Sequence, residues 1–157
     1  MPSGVTVVDG DLLEQLDVDA IVNAWNRNLF PATRFTISGV SRAILLRAGP
    51  DPFRELRRNG PMPVGDAVVT DAGRLPVRAI IHVAGINHRH RSSPAAVRRC
   101  VTSAVAAARR HGLTSAAFPL LGAGNGRLDP QVVLDVMSDA LADIDNGIDC
   151  RIVRYRR

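Results

Sequence analysis

Six short apolar runs, each bounded by Gly, Pro, Asn or Asp, leave this chain few ways to fold. They are GVTVVDG at 4–10, DAIVNA at 19–24, GDAVVTDAG at 65–73, RAIIHVAG at 78–85, TSAAFPLLG at 114–122 and CRIVRY at 150–155. Each has the length and composition of a β-strand. Helical patterns lie between several of them. In SPAAVRRCVTSAVAAARRHG, 93–112, Ser93 is placed to cap, Pro94 takes the first helical position and Gly112 terminates. Its apolar stripe is Val97, Val101, Val105 and Ala108. A second helix is expected from Asp129 and Pro130, burying Val132, Val133, Val136, Met137, Ala140 and Leu141. A third is expected within 36–48, opened by Ser38 and Gly39, with Val40, Ile44, Leu45 and Ala48 on its inner face. Strands alternating with helices of this length require crossover connections, so the expected class is α/β, with a mixed, largely parallel sheet covered on both faces.

The 157 residues fit one domain spanning 1–157, and no Pro/Ser linker or repeat divides them. All 20 basic residues are arginine, so mechanisms that need a lysine nucleophile or Schiff base are excluded. The formal charge of +5 suits solvated surface arginines and also a nucleic-acid face. Cys100 and Cys150 show no metal-site or disulfide spacing and read as buried small hydrophobes. No metal and no cofactor are expected. The opening MPSGVTVVDGDLL lacks a charged segment followed by an apolar one, and nowhere is there a run of about 18 apolar residues, so the expectation is a cytoplasmic protein without membrane contact. A monomer is expected, although nothing in the sequence fixes the oligomeric state.

The chemistry gathers where strands end, the edge at which open α/β sheets bind ligands. FPLLGAGNGRLDP, 118–130, brings a strand to a glycine-rich turn and then to a helix start. Such a turn is either a tight connection or a phosphate cradle built from backbone N–H groups. Asp129 is most simply the cap of the helix that follows. Ser38 and Gly39 open a second helix, and two such openings would enclose one diphosphate. Asp11 follows the first strand, either as a cap or as an acceptor for an exocyclic amine. Asn23 and Asn26 end the second, either as turn formers or as partners of ribose hydroxyls.

With these motifs in place, the chain resembles the macrodomain, an ADP-ribose-binding α/β module. The likeness runs in order through VTVVDGDLL, DAIVNAWN, GVSRAI, PVGDAVVTDAGRLPVRAIIHVAG and FPLLGAGNG. It implies a three-layer α/β/α fold with about six strands. It also implies that Asp11 holds the adenine amine beside the Leu12 amide, that Tyr155 stacks on adenine and that Asn26 contacts the distal ribose. Loop 1, Gly39, Val40 and Ser41, and loop 2, Gly122, Ala123, Gly124, Asn125 and Gly126, would surround the diphosphate.

Two departures bear on catalysis. MacroD-type hydrolases carry GGGVD, whose aspartate orients or activates water, and here ISGVS puts Ser41 in its place. GAGNGRLD resembles the second loop of DarG-type macrodomains, which remove ADP-ribose from thymidine in DNA with a catalytic lysine that this chain lacks. Upstream, RNLFPATRFTI brings Phe30 and Phe35, to cover the distal ribose or to pack on the core. The resemblance therefore implies a hydrolase acting on mono-ADP-ribosylated protein or DNA by substrate-assisted water attack at C1'', with Asn26 and Ser41 as catalytic candidates. The alternative is a non-catalytic reader. His88 and His90 are further titratable candidates or simply exposed loop histidines.

Overall fold

The computed structural model describes residues 5–29, 39–87, 89, 91–124, 126–144 and 147–155. Strands β1 Val5–Asp9, β2 Ala20–Trp25, β3 Ala67–Thr70, β4 Ala79–Ala84, β5 Ser115–Pro119 and β6 Asp149–Arg154 match the six apolar runs. They form one sheet in the order β1-β6-β5-β2-β4-β3, and only β3 runs antiparallel to its neighbour. Five strands therefore deliver their carboxyl ends to one edge. The interior strand β4 is buried along its whole length, as expected of a strand covered on both faces, whereas β1 at the sheet edge exposes Val5 and Val7.

Helices α1 Gly39–Ala48 and α2 Asp51–Arg58 share one core with Ile21, Trp25, Ile80 and Ala84. Helices α3 Pro94–Arg110 and α4 Pro130–Asp143 share the opposite core with Val22, Ile81, Val83 and Phe118. The division follows from the period of two: Ile21 and Trp25 point to one face, Ala20 and Val22 to the other. The α3 stripe is buried as its spacing requires, with Cys100 and Ala104 beside it, and the Ser93 hydroxyl accepts from the Ala96 amide.

Three local expectations change. Helix α2 was not foreseen, although Pro52 near its start, Phe53 and Leu56 facing inward, and Arg57 and Arg58 in its last turn spell a short amphipathic helix. On α4, Val132 is 43% exposed and Val136 only half-buried, because the inward stripe is narrower, carried by Val133, Met137, Ala140 and Leu141. On α1 the fully buried positions are Ser41, Ile44 and Ala48, with Val40 and Leu45 at the margins. Phe30, Phe35, Ser38, His88, His90 and Asn125 lie outside the described residues.

Candidate functional site

Beyond the carboxyl ends of the parallel strands lies a cleft of about 760 Å³, a volume typical of small-molecule sites. Asp11 and Leu12 wall it after β1, Tyr155 after β6, Gly39, Val40 and Ala43 from the first turns of α1, and Gly122, Ala123, Gly124 and Gly126 from the turn after β5. These bring together most of the residues singled out in the sequence. The sequence reading missed its apolar lining, Trp25, Ile86, Pro119, Leu120 and Val153 among it. Each of these sits at or just past a strand end, the signal that could have found them.

Asp11 stands at the head of a 3-10 turn, Leu12–Glu14, and one carboxylate oxygen accepts from the Leu13 amide at 2.9 Å. The cap and acceptor readings are thus compatible, since the second oxygen has no partner among the described residues. Close by, Arg154 is held by both oxygens of Asp9, its Nε at 2.6 Å, and this carboxylate raises the guanidinium pKa. Tyr155 next to it is 67% exposed and free to cover a flat ligand.

The glycines of loop 2 answer different demands. A Cβ on Gly126 would fall 2.5 Å from the Gly122 carbonyl oxygen and 2.8 Å from the Ser92 Cβ, so the loop's own crossing requires glycine there. At Gly124 a Cβ would meet nothing within 4 Å among the described residues. The amides of Gly122, Gly124 and Gly126 find no acceptor among the described residues and remain available to an anion. The start of α4 does not. Asp129 accepts from the Gln131 and Val132 amides at 2.8 and 3.2 Å, and its charge opposes a second one at that terminus. The expectation of two equivalent helix openings is corrected accordingly: α1 and the loop amides line the cleft, whereas the first α4 amides are already capped.

Asn23 and Ser41 also turn out differently from the expectation. Neither lines the cleft. Asn23 is wholly buried and Ser41 is 5% exposed. The sheet register sets Asn23 opposite His82 on β4, under α1 and α2. The Asn23 Nδ2 donates to His82 Nδ1 at 3.0 Å, so Nε2 carries the ring proton and donates it to Thr70 Oγ1 at 2.8 Å. Thr70 in turn donates to the Asp71 carbonyl at 3.0 Å. From above, the Ser41 hydroxyl lies 2.7 Å from Asn23 Oδ1 and 2.9 Å from the Ala24 carbonyl, facing the sheet and not the cleft. His82, edge-on to Phe53, is kept neutral: burial pulls its pKa from 6.5 down to about 3. The sequence signal for this chain was available in the single polar residue interrupting each of IIHVA and IVNAW.

Asn26 is half-buried at the exit of β2, next to the cleft-lining Trp25. Its Oδ1 accepts from the Asn28 amide at 2.7 Å, and its Nδ2 has no partner among the described residues. Asn28 holds this exit in place from a left-handed conformation, φ 60°, by donating to the Leu56 and Gly60 carbonyls. No group of three or more metal-ligating side chains occurs among the described residues.

Comparison with known proteins places this geometry. The family model described as Macro domain matches residues 22–137. A Macro domain-containing protein of Listeria monocytogenes serotype 4b is 40% identical over 129 residues, spanning 76% of this chain and 68% of its own length. A protein of Escherichia fergusonii named O-acetyl-ADP-ribose deacetylase is 35% identical over 130 residues, spanning 79% of this chain and 70% of its own. Among solved structures, the macrodomain of Mycobacterium tuberculosis DarG aligns with a TM-score of 0.79 at 26% identity, covering 96% of this chain and 97% of that one. A Trypanosoma brucei macrodomain in complex with ADP-ribose aligns with a TM-score of 0.76 at 26% identity, covering 98% of this chain and 64% of that one.

Proposed function

The chain belongs to the Macro domain family, and from that premise we propose that its cleft binds ADP-ribose and that the protein hydrolyses the linkage at the distal ribose of mono-ADP-ribosylated targets. The observation that carries the reading is the order of groups along the cleft. At one end Tyr155 and an Asp11 oxygen without a partner among the described residues suit an adenine with its exocyclic amine; in the middle, the amides of Gly122, Gly124 and Gly126 and the start of α1 suit a diphosphate. Asn26 is not part of the cleft lining itself, but it follows the lining residue Trp25, and its Nδ2 suits a hydroxyl of the distal ribose at that end.

Cleavage at C1'' passes through an oxocarbenium-like state whose positive charge the ligand's own diphosphate stabilises. The protein then contributes orientation more than a base. Ser41 is engaged with the sheet, so the water-orienting role falls to the substrate and Asn26. The test is release of ADP-ribose from three substrates: glutamate/aspartate-linked ADP-ribosylated protein, ADP-ribosylated thymidine in single-stranded DNA, and O-acetyl-ADP-ribose. No release from any of them at stoichiometric enzyme refutes the hydrolase.

A second reading, a non-catalytic reader, is favoured by one observation: Asp11 is the only carboxylate in the described cleft lining, and it stands at the adenine end. Calorimetry giving a micromolar Kd, about 8 kcal/mol of affinity, with all three substrates intact selects it. Contact with nucleic acid is supported by Arg89, Arg91 and Arg127, all exposed and without acidic partners among the described residues. They border loop 2, to which Ser92 N donates at Gly126 O. Affinity for single-stranded DNA that is flat between low and physiological salt removes that contact from the proposal.

A further inference from the structure

The polar chain beneath α1 has no place in ligand contact or proton transfer, and its position points to another task. Helix α1 supplies one wall of the cleft from its first two turns, through Gly39, Val40 and Ala43. Residues 26–38 connect it to β2. The first fully buried apolar side chain of the helix is Ile44, whereas Val40 and Ala43 pack on the same core only in part. Within the first turn Gly39 and Arg42 are exposed, Val40 is half-buried, and Ser41 alone is buried. Among the described residues, the buried polar tie between this first turn and the sheet is the Ser41 hydroxyl, engaged with Asn23 Oδ1 and the Ala24 carbonyl. Asn23 is itself fixed by His82 at 3.0 Å, and His82 by Thr70 at 2.8 Å.

We propose that Asn23, His82 and Thr70 are positioning residues: through Ser41 they set where the first turn of α1 stands above the strand ends, and so the affinity of the cleft for ADP-ribose. A fully satisfied buried polar chain suits this because its bonds are directional and define one arrangement, where apolar contact would tolerate sliding. Every member of the row has its partner, and the row crosses three strands, β2, β4 and β3, before ending on the Asp71 carbonyl. The inference rests on the cleft being an ADP-ribose site, and its test includes a readout that does not.

The variants are Ser41→Ala, Thr70→Val and the conservative Thr70→Ser. Thr70 is absent from the cleft lining, so any effect on the ligand passes through the chain. Calorimetry with ADP-ribose is expected to show Kd raised about fivefold by Ser41→Ala and about threefold by Thr70→Val, with Thr70→Ser near wild type. Amide hydrogen exchange at Ala43, Ile44 and Leu45, whose helical acceptors are the carbonyls of Gly39, Val40 and Ser41, is expected to accelerate in Thr70→Val and recover in Thr70→Ser. Variants that lose Tm while Kd stays within twofold and exchange in the first turn is unchanged overturn the proposal. A wild-type protein giving no saturable heat with ADP-ribose refutes the ligand instead, and exchange in the first turn then decides the positioning role by itself.

Discussion

The buried imidazole gives the fold an acid sensitivity that can be worked out in advance. His82 is completely inaccessible, and both ring nitrogens are engaged in the neutral form. Its folded pKa of about 3 lies below the ordinary 6.5. A lowered folded pKa means that between these values the unfolded chain binds a proton that the native one refuses, so stability rises with pH. The contribution is complete above pH 6.5 and declines as the pH falls towards 3. Protonation of the unfolded state alone gives a loss of about 2 kcal/mol between pH 7 and pH 5. Two carboxylates with shifted pKa values act below this window. Asp17 and Asp19 have pKa values lowered from 3.8, the first mainly by the Arg151 guanidinium and the second by the Thr114 amide. Their stabilising effect is present above 3.8 and is lost only below it. Urea unfolding at pH 7, 6 and 5, on wild type and on a non-titrating His82→Gln variant, is the assay. The variant should lose about 2 kcal/mol less over the window than wild type does. Identical pH slopes for the two proteins would falsify the reasoning, as would ring chemical shifts showing His82 protonating above pH 5 in the folded protein.

Three other outcomes are expected. Gly126→Ala forces a methyl to within 2.5 Å of backbone, so loop 2 must move; ADP-ribose binding should fall at least tenfold and stability by about 1–3 kcal/mol, read by calorimetry and urea unfolding, and unchanged binding would show that loop 2 is not the anion site. Asp11→Ala removes both the cap on Leu13 and the acceptor for an exocyclic amine, costing about 1 kcal/mol of stability and abolishing preference for ADP-ribose over its hypoxanthine analogue; a preserved preference places the base elsewhere. Ile44→Ala, at a fully buried position on the inner face of α1, should cost about 2–5 kcal/mol in urea unfolding, and a cost below 1 would mean that α1 is not packed on the sheet.

What the sequence by itself determined is local chemistry repeated along the chain. Strand-length apolar runs, the Ser93 cap, Pro94, and Asp129 ahead of Pro130 specify strands and helices through neighbours a few residues away, and the structure keeps them. Alternation of those elements, together with the glycine-rich turn, located the cleft at the carboxyl edge. Its far-apart decisions were made only by tertiary structure. Asn23 and Ser41 carry the residue types of a polar site, yet strand order sets Asn23 opposite His82, fifty-nine residues on, and the pair turns inward with Ser41 above it. Gly126 reads as an opening for a ligand, but its nearest neighbour is Gly122 of the same loop. In both cases the side chain's partner is fixed by which segments the sheet brings together. Spacing along the chain does not contain that information, because hydrogen-bond reach is about 3 Å and the sheet order that brings partners within it is a property of the whole packed core.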